Sequence, residues 1–415
     1  MSRIIGRPPS IFKDNRSTED ESDVFSDETN SFHSFCGSSL KRNIRIPICR
    51  NSDKLQSIDL NEKRRKNVIT RKGKDTRNTE NPFKKYMIPD EVLRVIFSNL
   101  KKRDLLSVMF VCKTFYVIGN KCDNWLVTDF MERPISEVSL ITLMRRKIKV
   151  LRLAGAKPDP TVRAEKRLFE MTLLGFSFLE YLDISRANLT YRQLLIILKP
   201  CQKLTCLSIE GNIVDDQIAN CISSNRNLRK LDISMTEGIT PNGAKTILKE
   251  CTKLEEFNAS WCGLSNSVLN VICTTITKKI QRLNLAGTLR NIGLNNRHIE
   301  ALANISNDLI DLDLSDNVEL DDSVIHTIFS QFPKLKKVSL NRCYGIDPNV
   351  IIHLNNKPTL KNLNVHGCLT DSNMELFLEM CSRLHVNLQF FNDTAKPVSH
   401  KSSDTQIWGQ DLLEK

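Results

Sequence analysis

The sequence predicts an α/β solenoid preceded by a small all-helical unit, with a disordered N-terminal region ahead of both. Three observations predict this. A Leu-x-x-Leu-x-Leu motif recurs about every 25 residues over 148–390. Residues 86–130 carry helical rather than repeat periodicity, and residues 1–85 carry neither. A tail, 391–415, closes the chain.

Residues 1–85 are poor in apolar side chains. Thr18 to Thr29 is acidic and hydroxyl-rich, and Lys63 to Lys74 (KRRKNVITRKGK) is basic. Such a stretch cannot bury enough apolar area to offset the entropy of ordering, so disorder is expected. The basic run reads as a nuclear address or as a solvated charge cluster. Ser22 and Ser26, each beside acidic residues, are expected phosphorylation sites. The N-terminus has no apolar leader core and no apolar run approaches 18 residues, so neither secretion nor a membrane span is expected.

The helical unit starts at Pro89, which suits a first helical position because its missing N–H would have no partner there. Asp90 and Glu91 then lie at the positive end of the helix dipole. Leu93, Ile96, Phe97 and Leu100 form one apolar stripe. Asp104 is the expected cap of a second helix carrying Leu105, Leu106, Val108, Met109, Val111 and Cys112, and Trp125 closes the unit. About 40 residues are too few to hide this much apolar surface alone, so a neighbour or partner is required.

The repeats begin at Ile148, Leu179, Leu204, Leu228, Leu254, Ile280, Leu309, Leu335, Leu360 and Leu384. Each supplies a strand, a turn and a helix, and stacking gives them one shared core. The leucines point inward. The column Ser208, Asp232, Asn258, Asn284, Asp313, Ser339, Asn364 is expected to face outward as a wettable concave floor. Seven residues after each start, Trp261, Asp316 and Arg342 stand out among glycines. They read as interface anchors, or as an internal salt bridge beside a partly buried Trp. Arg290 adds a nearby cation.

After Leu384 the alternation of Val386, Leu388 and Phe390 reads as a last strand. Trp408, an aromatic in a polar tail, is expected to dock on the body, on a partner, or as a cap over the last repeat. Cys201, Cys251 and Cys381 lie three residues before a repeat start, and Cys262, Cys343 and Cys368 eight after one, a place that Asn212 and Asn317 take elsewhere. Fixed phases make these core residues rather than ligands or nucleophiles. The chain has 13 cysteines but no Cys-x-x-Cys, and its seven histidines are scattered, so no metal, cofactor or enzyme chemistry is expected. The net charge of +12 lacks interleaved aromatics, so direct nucleic-acid binding is not expected.

The run Ile88-Pro89-Asp90-Glu91-Val92-Leu93, then Ile96-Phe97, Leu100, Asp104-Leu105-Leu106, Val108, Val111-Cys112 and Trp125, resembles an F-box, with Ile88 where that family often has Leu. The resemblance implies docking of a Skp-family adaptor, and through it cullin and RING subunits. The implied contacts are Ile88, Pro89, Leu93, Ile96, Phe97, Leu100, Leu105, Leu106, Val108, Val111 and Trp125. Beyond it, LEEFNASWCGLS (254–265), LDLSDNVELDD (312–322), LKKVSLNRCYGIDP (335–348) and IWG (407–409) resemble the S-phase-kinase-associated F-box/leucine-rich-repeat family. That resemblance implies a non-catalytic substrate receptor of an SCF-type ubiquitin ligase, acting in nucleus and cytoplasm. Its implied ligands are a Cks accessory protein and phosphorylated Kip-type inhibitors of cyclin-dependent kinases. Trp261, Asp316, Arg342 and Phe391, with Arg290 spaced differently from the family's pattern, are the implied binding residues. The alternative from the residues alone is a repeat scaffold without ubiquitylation.

Overall fold

A computed structural model describes residues 88–159, 177–288, 293–399 and 405–412, with Ala164, Lys166 and Glu170 between. The expected disorder of 1–85, the phosphorylation sites Ser22 and Ser26, and Arg290 lie outside the described residues.

The helical unit has three short helices, α1 (Asp90–Ser98), α2 (Lys102–Met109) and α3 (Lys113–Asn120), and a 3-10 turn, Asp123–Trp125. Pro89 is the N-cap of α1 rather than its first residue. Asp104 sits within the first turn of α2, whose cap position is Lys101. The second helix stops at Met109, and Cys112 starts a third, its Sγ accepting from the Phe115 N–H at 3.4 Å. Leu93, Phe97, Leu105, Met109, Phe115, Ile118, Cys122 and Trp125 form a core separate from that of the repeats. Phe97 and Phe115 meet edge to face at 5.1 Å, and the Trp125 Nε1–H donates to the Gly119 carbonyl at 2.8 Å. Asn124 Nδ2 lies within hydrogen-bond distance of the Phe97, Ser98 and Leu100 carbonyls around the C-terminal end of α1, at 2.7 Å from the last.

The chain enters the sheet at β1 (Val127–Asp129), about 20 residues before the first expected repeat. Then come β2 (Pro134–Ile135), α4 (Glu137–Met144), β3 (Val150–Arg152), β4 (Lys157–Pro158), β5 (Tyr181–Asp183), α5 (Tyr191–Leu198), β6 (Cys206–Ser208), α6 (Asp216–Ser223), β7 (Lys230–Asp232) and α7 (Pro241–Glu250). The second half has β8 (Glu256–Asn258), α8 (Asn266–Thr275), β9 (Arg282–Asn284), α9 (Asn296–Ala303), β10 (Asp311–Asp313), α10 (Ser323–Gln331), β11 (Lys337–Ser339), α11 (Pro348–Ile351), β12 (Asn362–Asn364), α12 (Asp371–Met380) and β13 (His385–Val386). A hairpin, β14 (Gln406–Ile407) and β15 (Gln410–Asp411), ends the described chain.

Among the described residues, one parallel sheet of 11 strands runs β1-β3-β5 and then in order to β13. Each of the ten repeat starts leads into one of its strands. The inward leucines of each repeat are buried, as with Leu204, Leu207 and Ile209, and they share one continuous core. β13 ends after Val386 because Asn387 takes φ +55°, so Leu388 and Phe390 leave the sheet and are exposed.

The turn cysteines behave as their phase predicts. Asn212 Nδ2 donates to the Ile184 carbonyl one repeat back (2.9 Å), and Asn317 Nδ2 to Leu285 (3.0 Å). Cys262, Cys343 and Cys368 direct Sγ–H to the matching carbonyls of Ile233, Leu314 and Leu340. Burial pushes the Cys343 thiol up to about 12, so it stays protonated and unreactive.

Candidate functional site

Two surfaces carry exposed side chains that packing alone does not explain. On the helical unit, Val92, Val95 and Ile96 occupy one side of α1, at spacings that make them surface neighbours. Phe110 and Val111 follow α2, and Val117 stands on α3. Val95 is 64% exposed and Val111 66%. So much apolar surface on so small a unit marks an interface.

This corrects the sequence reading of α1. Of the residues implied as adaptor contacts, Leu93, Phe97, Leu105 and Trp125 are buried in the unit's own core and shape the face from behind. Ile88, Leu100, Leu106 and Val108 are partly buried against that core, and Pro89, Ile96 and Val111 are exposed. Val92, Val95, Phe110 and Val117, which the sequence reading did not name, are exposed as well. A helix with apolar residues on both sides gives no periodic signal for which side faces inward. The Arg146 guanidinium, just after α4, lies 4.2 Å over the Trp125 ring and ties this unit to the repeats.

The second surface is the rim where strands end. The position seven after each repeat start has positive φ in every described repeat from Gly155 to Gly367, between +51° and +72°. The chain puts glycine there at 155, 211, 287 and 367, but Arg186, Met235, Trp261, Asp316 and Arg342 at the others. L-residues in this conformation cost roughly 1–2 kcal/mol each. A side chain at one such position lies over the glycine of the next strand. A Cβ on Gly287 would fall 2.4 Å from Trp261 Cε3, and one on Gly367 3.0 Å from Arg342 Cγ.

Asp316 and Arg342 form a two-pronged ion pair, Nε to Oδ1 and Nη2 to Oδ2 (2.6 Å for the latter). The guanidinium also lies 5.1 Å from the Phe390 ring, which meets Phe391 edge to face at 4.8 Å and His366 at 5.1 Å. Burial and the nearby Arg342 charge lower the His366 pKa, keeping the ring neutral. Asp316, Arg342 and Phe391 are therefore brought together through Phe390, which had read only as a strand residue. Trp261, 46% exposed, stands two strands away, across Gly287.

The concave floor is not open. Ser208, Asp232, Asn258, Asn284, Asp313, Ser339 and Asn364 are all buried. The tail crosses above them from the last repeat toward the first instead of capping the last. Asn392 donates to Asp311, the Ala395 N–H to Glu256, and Lys396 Nζ to Glu210 (2.9 Å) and Ser234 (2.7 Å). Lys396 also lies 3.4 Å from Asp232. The Trp408 ring tilts against Tyr181 at 6.4 Å, and its Nε1–H donates to the Ala395 carbonyl. Ile407 and Leu412 pack on Val150.

Beneath the tail, Lys230, Glu256, Arg282, Asp311 and Lys337 are register partners of alternating charge. They pair in sequence, from Lys230–Glu256 at 2.8 Å to Lys337–Asp311 at 3.7 Å. A cleft of about 510 Å³ remains between this ladder and the tail, its strand charges already satisfied by one another. Among the described residues, no group of three His, Cys, Asp or Glu side chains could hold a metal ion, and no helix is long and apolar enough to cross a membrane.

The sequence was compared with known families and structures. A family profile described as F-box-like matches residues 87–126, and one described as the SKP2 LRR domain matches residues 139–414. A solved structure, described as the crystal structure of the Rad7 and Elc1 complex in yeast, is 15% identical, covers 74% of this chain and 89% of its own, and has a TM-score of 0.46. An F-box followed by leucine-rich repeats is the make-up of a substrate receptor of SCF-type ubiquitin ligases, with the F-box for a Skp1-type adaptor. Proteins of this build are typically adaptors without chemistry of their own. With an F-box-like unit ahead of a repeat domain that fills most of its length, this chain belongs to the F-box/leucine-rich-repeat family whose repeats are of the SKP2 type.

Proposed function

We propose that the chain selects phosphorylated cell-cycle proteins for ubiquitylation, with Kip-type inhibitors of cyclin-dependent kinases as the substrate class. It would thereby promote G1/S progression, acting in nucleus and cytoplasm. The apolar face of the helical unit holds the Skp-family adaptor, and through it cullin and RING subunits. The rim around Trp261, Asp316, Arg342 and Phe391 holds a Cks protein and the substrate, and Arg290 belongs to the same proposal. The receptor raises the ubiquitylation rate by holding substrate near the loaded enzyme, not by chemistry of its own.

The observation that carries the reading is the rim. Trp261, Asp316 and Arg342 occupy left-handed positions where glycine has the lower energy, and half-exposed aromatics surround them. Arg342 is already held by Asp316, so it is poorly placed to read a phosphate by itself. This supports a separate accessory protein as the phosphate reader.

The experiment is calorimetric. The chain, co-purified with its adaptor, is titrated with Cks and then with a phosphorylated Kip-type peptide. Binding should need both the phosphate and Cks, and Trp261→Ala or Arg342→Ala should weaken it by roughly tenfold or more. Equal binding of the unphosphorylated peptide would remove the substrate assignment while leaving the adaptor face untouched.

A further inference from the structure

The opposite rim, where the strands begin, is strongly basic. The N–H of each residue following a repeat start donates to the carbonyl of its counterpart one repeat back, unbroken from Lys149 to His385. These residues form a continuous column at the strand spacing of about 4.8 Å, some 43 Å along its nine steps. The residues preceding each start, from Lys147 to Arg383, form a second column beside it. Its members touch: Lys253 Nζ meets Asn227 at 2.7 Å and Lys334 meets Asp308 at 2.6 Å.

The twenty positions of the two columns hold ten cations and three carboxylates, a formal +7 out of the chain's +12. All three carboxylates are already matched within the rim: Glu180 by Lys149 (3.4 Å), Glu255 by Arg229 (2.7 Å) and Asp308 by Lys334. Lys147, Lys203, Lys279, Lys336, Lys361 and Arg383 are exposed and have no carboxylate partner among the described residues. Near one end Phe178, 42% exposed, lies between Lys147 (6.0 Å) and Lys203 (4.9 Å).

We propose that this rim is a docking surface for an extended acidic segment of a partner protein. Eight of the ten cations are lysines, which read charge rather than the planar geometry that arginine forks select. Phe178 is the one Phe, Tyr or Trp at these twenty positions, with the smaller His385 ring at the far end, so successive bases would have no run of rings to stack on. Fixed carboxylates at Glu180, Glu255 and Asp308 interrupt the run. They oppose a phosphate backbone that carries a charge about every 3.4 Å on each strand. A peptide with clustered Asp and Glu can pass over them, and an apolar residue in it can cover Phe178. The surface lies at the far end of the strands from Trp261 and Arg342, so it neither uses nor blocks that rim.

The test uses the full chain and a fluorescent peptide of about 13 residues in which Glu-Glu pairs are separated by single glycines, which spans some 43 Å when extended. The triple variant Lys203→Glu, Lys336→Glu, Lys361→Glu should bind it about tenfold or more weakly, and wild-type binding should fall steeply with salt. A triple variant of equal charge change on the helical side, Lys245→Glu, Lys249→Glu, Arg297→Glu, should bind within about twofold of wild type. Because the two variants have the same net charge, any contribution from the basic segment 63–74 cancels. Equal losses in both variants, no peptide binding at all, or tighter binding of a DNA duplex of matching length would each overturn the proposal.

Discussion

At the scale of single residues, the left-handed rim separates what stabilises the repeat from what the repeat presents. Gly287 has φ +69°, and its missing side chain leaves room for the Trp261 ring. Gly287→Ala should therefore do two things. It should lower stability by roughly 1–2 kcal/mol through backbone strain. It should also displace Trp261, weakening capture of the Cks–substrate pair by more than that stability loss explains. Denaturant unfolding and calorimetry on the same preparation separate the two effects.

Charge burial gives a second residue-level prediction. Burial raises the Asp183 and Asp313 carboxyls to about 6, against the hydrogen bonds each accepts from Ser185 and Ser315. The folded protein thus holds protons that the unfolded chain has released between roughly pH 4 and 6. The contribution of these two groups to stability should rise as pH falls through that window. Glu210 acts oppositely: burial would raise it, but Lys396 and Arg186 outweigh that and hold it below its usual value, so its contribution fades in acid. On going from about pH 7.5 to about pH 5, the unfolding midpoint should change in the less stable direction in Asp183→Asn and Asp313→Asn relative to wild type. An unchanged pH dependence would show that these carboxyls do not titrate there.

At the scale of elements, the helical unit shows what periodicity can and cannot reveal. The 3.6-residue pattern located the helices, and the phase of Cys262, Cys343, Asn212 and Asn317 located the turn ladder, because both are local signals. On α1, Leu93 and Phe97 face the core while Val92, Val95 and Ile96 face out, and an apolar-or-polar reading merges the two sets. Ile96→Asp with Val111→Asp should abolish co-purification with the Skp-type adaptor while leaving helical content unchanged by circular dichroism. Leu93→Ala should instead unfold the unit, with a loss of about 2–5 kcal/mol from the core. Adaptor binding retained by the Asp double variant would refute the assignment of this face.

At the scale of the whole molecule, the path of the tail left no trace in the sequence. Lys396 meets Glu210 across 186 residues of chain, and no local pattern encodes such a pairing. The polar floor had been read as open to water for the same reason: Ser208, Asp232 and Asn258 look solvent-facing until the tail is laid over them. Lys396→Ala should leave Glu210 and Asp232 buried without their cation, at a loss of roughly 3 kcal/mol measured by urea unfolding.

A stack of repeats ordinarily folds as a one-dimensional array, each unit answering only to its neighbours, so that it can nucleate anywhere and fray from either end. The hairpin at Gln406–Asp411 changes that, because Ile407 packs on Val150 and Trp408 on Tyr181. Sequence beyond the last repeat thus stitches down the first ones. The early repeats gain their inner cover only once that later sequence is made, and a truncation before Gln406 that spares every repeat still releases the opposite end of the stack.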